Sequence, residues 1–274
     1  MKAIFNSRTI NTTDPLLKVT NRAFCYGDGL FETIVTGPGR INLLEKHFQR
    51  LEEGAEVLRL IFPNDLSLEK LQNWIEELRV SNKITRDYRI RIHLWRDSGG
   101  LYSPVNNSSS FLIEVANTDS AVFGTSTSIG LNEQYLNIYS PISKFKSKDA
   151  LKYVMLGIDK EQRGLDDIIL LDKDLHLSES HTSNVFWTKD QQIFTPSLKT
   201  GCVAGIMRNF IINEMNQLGN PVKEVEEDKS VLETCNSIFT TNASGIKWFA
   251  SYANRKLDSP KSLLLPVIKQ LQQL

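Results

Sequence analysis

The order of the elements predicted after residue 143 is the strongest constraint on the fold of this chain. A lysine-rich segment, residues 143–153, passes into an apolar pattern that predicts a helix over 149–163, followed by Gly164 as its C-terminal glycine. The apolar run at 168–171 then predicts a strand, and residues 177–186 add one glutamate and several small polar residues before an apolar end. Because helix and strand alternate, this half of the chain is typical of an α/β protein.

The remaining segments predict a mixed α/β chain as well. A helix at 44–60 is predicted from apolar residues at steps of three and four, and a half-buried strand at 88–95 from strict alternation. Ser67 is the expected N-cap of a helix at 67–80. The other predicted elements are short strands around a turn at 13–15 within residues 1–25, a strand at 30–35 closed by Gly37, Pro38 and Gly39, a strand at 111–115, a hairpin of 185–187 with 192–194, a loop at 200–205, a helix at 206–218, a strand running into a turn over 237–245, and a helix from 260 to the end.

Length and composition limit the class of protein. With 274 residues the chain exceeds the usual single core, so we expect a small domain at 1–118, a linker at 119–125 and a larger domain at 126–274. Basic and acidic residues, 32 of each, cancel, which argues against a nucleic-acid partner or an anionic membrane surface. We expect neither a membrane span nor a signal peptide, because no apolar stretch is long enough. The cysteines and histidines lack disulfide or metal-ligand spacing, so we expect no metal and a cytoplasmic location.

Five short motifs are each ordinary when taken alone. Y-G-D-G-L-F-E-T begins at Tyr26 and is typical of a hairpin, and H-F-Q-R-L begins at His47, where a solvated histidine and arginine at a helix edge are the simplest interpretation. The loop R-D-S-G-G-L-Y begins at Arg96, and such glycine-rich loops are most often turns. E-S-H-T-S-N-V-F begins at Glu179, which by itself suggests a surface loop, and G-I-M-R begins at Gly205. Their order across nearly the whole chain is more specific than any one of them.

In that order the motifs resemble the class IV aminotransferases, the fold type IV enzymes that use pyridoxal 5'-phosphate (PLP). The resemblance implies a small N-terminal α/β domain, a larger C-terminal domain with a barrel-like sheet, and PLP bound at their interface. It also implies a homodimer that acts on a small-molecule amino substrate. A non-catalytic binding protein on the same fold, and an α/β enzyme without PLP, are the alternatives from other classes.

The resemblance further implies a lysine that carries PLP as a Schiff base and acts as general acid and base. In the family this lysine lies a fixed interval before the Gly-x-x-[Glu/Asp] that opens the next strand. Counting back from Gly164 and Asp167 identifies Lys146. Lys144 and Lys148 share its strand parity but would need a gap in the alignment, and by composition alone each lysine would be a solvated surface residue.

Other family positions correspond to groups that would hold the cofactor. Glu179 would pair with the pyridine nitrogen, Arg50 would bind the phosphate as a fixed guanidinium fork, and Val203 would lie under the ring. The start of a helix presents free N–H groups to an anion. The residues expected to contact PLP are Arg50, Lys146, Glu179, Val203, Ile206, Met207, Asn242 and Ala243; Phe31, Arg96 and Tyr102 are expected to contact substrate.

The family contains transaminases and aminodeoxychorismate lyase, which eliminates pyruvate to give 4-aminobenzoate for folate synthesis. D-amino-acid transaminases hold the substrate carboxylate with an arginine and a histidine on the loop after the strand at 88–95, and residues 97–102 contain neither. The Gly-Gly pair of this loop, G-I-M-R, N-V-F-W and Asn-Ala at 242–243 resemble the lyase branch, although Leu101 replaces the second arginine of the lyase and Asp149 replaces a usual asparagine. We therefore expect the lyase, with a branched-chain or D-amino-acid aminotransferase as the alternative.

Overall fold

Alternating strands and amphipathic helices build one sheet in each of two units of the chain. The structure, a computed structural model, describes residues 1–38, 40, 43–119 and 122–272. The first unit consists of residues 1–120 and 145–150, and the second of residues 121–144 and 151–274. The predicted linker at 119–125 includes residues 120 and 121, which lie outside the described residues. The division into domains at 118 and 126 therefore stays a prediction.

The described residues of the first unit form five strands and three helices. They are β1 (Lys2–Phe5), β2 (Arg8–Asn11), β3 (Gly29–Thr36), β4 (Tyr88–Arg96), β5 (Ser109–Asn117), α1 (Arg22–Tyr26), α2 (Leu44–Val57) and α3 (Leu68–Ser81). The strands form an antiparallel sheet in the order β2-β1-β5-β4-β3. Ile90, Ile92 and Leu94 alternate along β4 and belong to one core with the apolar stripes of α2 and α3. The predicted half-buried strand and both amphipathic helices are thus confirmed.

Within residues 122–144 and 151–272, the second unit has nine strands and four α-helices. They are β6 (Phe123–Asn137), β7 (Asp167–Asp172), β8 (Leu177–Ser180), β9 (Asn184–Lys189), β10 (Gln192–Pro196), β11 (Lys223–Val225), β12 (Ser237–Asn242), β13 (Gly245–Tyr252), β14 (Arg255–Lys256), α4 (Leu151–Gln162), α5 (Ile206–Gln217), α6 (Val231–Thr234) and α7 (Lys261–Gln272). The sheet runs β11-β10-β9-β12-β13-β6-β7-β8, with β14 paired to β13. Because β8, at one end of this order, also packs against β9 and β10, the sheet curls on itself, as the expected barrel-like sheet requires.

Several local predictions are confirmed by backbone geometry. The Ser67 side chain accepts a hydrogen bond from Lys70 N at 3.2 Å and so caps α3. Gly164 has a φ of 63° and follows the last turn of α4, which suits a glycine because other residues are strained there. The hairpin of β9 with β10 is antiparallel, as predicted. Among the described residues, no helix has the length and apolar character needed to cross a membrane.

Two strand predictions were wrong. The N-terminal strands do not flank the turn at 13–15: β1 and β2 both precede it and are joined at Asn6 and Ser7, whose φ angles of 45° and 64° suit a tight hairpin turn. Residues 22–26 form α1 instead of a strand, because the Asn21 side chain accepts from Phe24 N and caps a helix.

The longest strand, β6, was not predicted. Its 15 residues are largely polar and show no clean alternation of buried and exposed positions. It is held by long-range parallel pairing, with β13 on one side and β7 on the other. Two predicted segments extend outside the described residues, at Gly39 and at the last two residues, 273 and 274, of the C-terminal helix.

Candidate active site

Residues 145–150 of the lysine-rich segment belong to the first unit and lie beside β3. Ser147 and Leu30 form an antiparallel bridge, flanked by backbone hydrogen bonds of 2.9 Å on both sides. Because side chains of an extended segment alternate, Lys146 and Lys148 lie on the side of the segment opposite to Ser147. The Lys146 ammonium lies 4.9 Å from the centre of the Phe31 ring. A predicted catalytic lysine and a predicted substrate residue are thus in contact.

The four lysines of this segment have different surroundings. Lys144 is exposed, whereas Lys146 and Lys148 are half-buried. Lys148 hydrogen-bonds to His93 at 2.8 Å, and Lys152 donates to the side-chain oxygen of Asn137. These surroundings distinguish the lysines physically, and the assignment of Lys146 to catalysis stays a prediction.

Glu32 connects the helix motif of α2 to β3. Arg50 donates to both oxygens of this carboxylate, from Nε at 2.8 Å and from Nη2 at 2.6 Å. His47 Nδ1 lies 2.7 Å from Glu32 Oε2. All three side chains are buried, so the simplest interpretation of His47 and Arg50 as a solvated pair was wrong. The sequence analysis also missed Glu32, although it is the glutamate of Y-G-D-G-L-F-E-T and shares strand parity with the buried Leu30.

Electrostatics explains why this cluster tolerates burial. Burial by itself would raise the pKa of Glu32, but the charge of Arg50 and hydrogen bonds from His47 and Arg50 outweigh it and hold the pKa at about 2. Burial lowers the pKa of His47, and the charges of Arg50 and Lys146 lower it further. Glu32 raises this pKa but does not outweigh the other effects. A neutral His47 therefore donates from Nδ1 to Glu32, and the bidentate ion pair fixes the orientation of Arg50.

Replacing Glu32 with glutamine is expected to reduce the free energy of unfolding by about 3–5 kcal/mol, because Arg50 would remain buried without its counter-charge. Chemical denaturation measures this change, with Glu45→Gln on the exposed side of α2 as the matched control. The lowered pKa of Glu32 stabilises the fold above its ordinary value of 4.5, and this contribution disappears as the pH falls towards about 2. The two proteins should therefore converge in stability on acidification; a variant as stable as its parent at pH 7 would contradict the prediction.

Asp28 organises the glycine-rich loop. Its Oδ2 accepts from Arg22 Nε at 2.7 Å and from Arg96 Nε at 3.0 Å. Arg22 also donates to the carbonyl oxygens of residues 99, 100 and 101. Arg96 donates from Nη2 to Leu58 O at 2.7 Å and from Nη1 to the side chain of Asn107 at 2.5 Å. The two buried arginines hold the loop in one conformation.

These contacts bear on two expected substrate residues. The guanidinium of Arg96 is directed at Asp28, Asn107 and backbone carbonyls, so this geometry gives it the role of a loop support. Tyr102 is 90% exposed, and its ring centre lies 5.5 Å from that of Tyr26. Contacts of Arg96 and Tyr102 with substrate stay predictions.

Glu179 lies in the second unit, on β8. Its side chain is only 3% exposed, so the interpretation as a surface-loop glutamate was wrong. Oε1 accepts from Tyr153 Oη at 2.7 Å and from Asn137 Nδ2 at 2.9 Å, and Oε2 accepts from Val203 N at 3.1 Å. Three donors fix the orientation of this buried carboxylate. The arrangement can hold a negative charge towards a cationic ring nitrogen.

The surroundings of Glu179 include groups that the sequence analysis missed. Asn137 ends β6, which was not predicted, and no local pattern marks it as a partner of Glu179. Tyr153 lies inside the lysine-rich segment, but its contact depends on how α4 packs on the sheet. Burial, with a further contribution from the Glu179 charge, raises the pKa of the neighbouring Cys202 thiol to about 12, which keeps it neutral and unreactive.

The start of α5 forms a candidate phosphate site in the same unit. Gly205 is the N-cap, and a Cβ there would collide with Asn184 Oδ1. Asn184 Nδ2 donates to Val203 O at 2.7 Å and so fixes the loop before the helix. The first N–H groups of α5, at Ile206 and Met207, have no acceptor within the helix and can bind an anion.

The residues present fit the cofactor phosphate. Thr241 is paired with Asn184 across β12 and β9 and is 1% exposed, and among the described residues its hydroxyl has no hydrogen-bond partner. A buried hydroxyl without a hydrogen-bond partner destabilises the fold unless a ligand forms a hydrogen bond with it. Thr241 was missed by the sequence analysis, although it directly precedes the predicted Asn242 and Ala243. Asn242 bonds to Ser183 Oγ at 3.0 Å and positions the end of β12.

Comparison with known proteins supports the same family. The family model described as "Amino-transferase class IV" matches residues 29–248 of this chain. An aminodeoxychorismate lyase of Vibrio harveyi is 26% identical, with 88% of this chain and 89% of the relative covered. A protein of Rickettsia bellii named a probable branched-chain-amino-acid aminotransferase is 30% identical, with 80% and 75% covered.

Structural comparison supports the fold. A branched-chain aminotransferase of Thermoproteus uzoniensis superposes with a TM-score of 0.87 at 20% identity, covering 98% of this chain and 92% of that one. At this identity the similarity establishes the architecture alone. The match across residues 29–248, with the 30% identical relative, establishes the family. The chain therefore belongs to the class IV aminotransferases, a family of PLP-dependent enzymes.

Proposed function

We propose that this enzyme is an aminodeoxychorismate lyase, which eliminates pyruvate from 4-amino-4-deoxychorismate to give 4-aminobenzoate. The observation that carries the proposal is the loop at 97–102. Arg22 donates to backbone carbonyl oxygens of the loop, and Arg96, at the start of the loop, donates to Asp28. The loop contains neither the arginine nor the histidine of a D-amino-acid transaminase. The two glycines at its centre resemble those of the lyase branch, and their φ angles of 133° and 72° favour glycine at both positions.

The proposed roles combine the family resemblance with the contacts of each group. PLP, when bound, supplies an electron sink for bond cleavage at the substrate. Lys146 is proposed to hold the cofactor covalently and to move protons, and Glu179 to hold the charge of the pyridine nitrogen with support from Asn137 and Tyr153. Val203 is proposed to contact the ring.

The phosphate is proposed to bind Arg50, the Ile206 and Met207 N–H groups and the Thr241 hydroxyl, with Asn242 and Ala243 shaping the end of β12. Arg50 is already oriented by Glu32, and the Thr241 hydroxyl is already buried. A group that is oriented before binding loses less conformational freedom when it binds, which favours affinity.

A branched-chain aminotransferase is the second candidate. The relative with 30% identity carries that name, and Leu101 removes the second arginine of the lyase loop. Lys146 and Glu179 would serve both reactions, so the cofactor contacts do not separate them.

A homodimer is part of the proposal. Several large apolar side chains in the first unit are exposed, and burying them against a second copy would stabilise the assembly. They include Val19, Phe24, Leu101, Tyr102 and Val105.

The reaction is tested by supplying PLP-loaded enzyme with 4-amino-4-deoxychorismate and measuring pyruvate and 4-aminobenzoate. We expect both products in equal amounts, and in parallel little glutamate from leucine or D-alanine with 2-oxoglutarate. Efficient glutamate formation without 4-aminobenzoate would overturn the lyase proposal and favour the transaminase.

A further inference from the structure

A second lysine lies near the proposed catalytic lysine and contacts a histidine, which in turn faces a glutamate. Lys148 Nζ is 2.8 Å from His93 Nδ1, and His93 Nε2 is 3.5 Å from Glu114 Oε2. The three side chains come from the segment at 145–150, from β4 and from β5. We call them the lysine–histidine–glutamate chain.

The chemistry of these groups assigns donors and acceptors. An ammonium group only donates hydrogen bonds, so His93 Nδ1 accepts from Lys148. His93 then carries its proton on Nε2, which faces the Glu114 carboxylate. Lys148 has three N–H donors and His93 takes one, which leaves donors for the two oxygens of a carboxylate ligand.

The local charge also favours an anion. Arg89 and Arg91 alternate with the buried Ile90 and Ile92 along β4, so they lie on the same face of the sheet as His93. Burial lowers the pKa of Lys148, and the Glu114 charge opposes this shift. Hydrogen bonding from His93, aided by the charges of Arg91 and Arg89, lowers the pKa of Glu114 despite its partial burial. Glu114 thus stays ionised and supports a charged Lys148.

The distance between Lys148 and Lys146 is comparable to the length of a small substrate. Two residues along an extended segment separate the Cα atoms by about 7 Å, and both side chains lie on the same side. Phe31 connects the two lysines: its ring contacts Lys146 and stacks on His93 with centroids 6.4 Å apart. A substrate amino group that reacts beside Lys146 would place a carboxylate within reach of Lys148.

We infer that Lys148 is a carboxylate anchor for the substrate and that His93 and Glu114 are its positioning residues. The inference rests on the proposed function in one respect, the assignment of PLP to Lys146. It adds a specificity determinant for an amino substrate with a carboxylate, whether the reaction is elimination or transamination.

The test compares PLP-loaded wild-type enzyme with Lys148→Met, which keeps the carbon stem and removes the charge, and with Lys148→Arg, which keeps the charge. Lys144→Met is the control, because Lys144 is an exposed lysine of the same segment. Kinetics are measured with 4-amino-4-deoxychorismate and with leucine. Succinate binding is measured by calorimetry, which does not depend on turnover.

We expect Lys148→Met to raise KM and the succinate Kd by about 10- to 100-fold, with kcat changed far less, because a charge-assisted hydrogen bond is lost. Lys148→Arg should recover most of the succinate affinity. All variants should keep the visible band and the borohydride-reducible cofactor, which a merely structural role of Lys148 would not predict. His93→Leu should also weaken succinate binding, and adding it to Lys148→Met should cost little more, because the two residues act through one contact.

The outcomes separate this inference from the proposed reaction. Equal succinate affinity in wild type and Lys148→Met, including no measurable binding to either, would overturn the anchor. A fall in kcat with KM and Kd unchanged, or loss of PLP from Lys148→Met, would also overturn it. Absence of 4-aminobenzoate from the wild-type reaction would refute the lyase proposal, while the succinate comparison would still decide the role of Lys148.

Discussion

Replacing Lys146 with alanine is expected to abolish turnover and to remove the covalently held cofactor. Loss of a positioned acid–base group alone costs about 10²–10⁴-fold in rate, and loss of the covalent attachment adds to this. The wild-type protein should be yellow as isolated, and borohydride should fix PLP to the peptide that contains Lys146. The variant should lose both signals, and the groups proposed to bind the phosphate should still allow PLP to bind without a covalent bond.

The matched control is Lys144→Ala, which removes an exposed lysine two residues away. It should keep the colour, the reducible cofactor and the activity. Detection of the reducible cofactor in Lys146→Ala, together with its loss from Lys144→Ala or Lys148→Ala, would show that another lysine carries PLP. Peptide mapping after reduction identifies that lysine directly.

The second large effect is expected at Glu179. Glu179→Gln keeps the shape of a side chain that meets Asn137, Tyr153 and Val203, but it removes the charge and replaces one acceptor oxygen with an NH2 donor. PLP should remain bound, because Glu179 is not among the groups proposed to bind the phosphate. Turnover should fall by about 10²-fold or more, the scale of losing one group that stabilises charge in the reacting state.

Stopped-flow kinetics and the visible spectrum of the variant measure the two parts of this expectation separately. Glu161→Gln on the exposed surface of α4 is the control and should leave both unchanged. Wild-type turnover in Glu179→Gln would refute the assignment to the pyridine nitrogen. Loss of PLP with collapse of the fold would instead show that the carboxylate acts as a structural support for β8.

The local elements of this protein were determined by sequence because their causes are local. The apolar stripe of α2, the alternation along β4, the Ser67 cap and the glycine after α4 each depend on neighbouring residues. The family was also evident from the order of short motifs, each of which has a spacing constraint that a single sequence displays. The prediction failed at β6, whose stability comes from strands distant in sequence.

Only the tertiary structure decided how the candidate site residues are supported. The sequence identified Arg50 and Glu179 as candidates. It did not identify Glu32, which pairs with Arg50, or Asn137 and Tyr153, which donate to Glu179. It likewise gave no reason to connect Lys148 with His93, 55 residues away. Strand register and helix packing bring these groups together, and neither leaves a periodic trace in the sequence around each residue. Short local motifs thus identify the candidate site residues, whereas long-range pairing determines how those residues are buried, oriented and surrounded by charge.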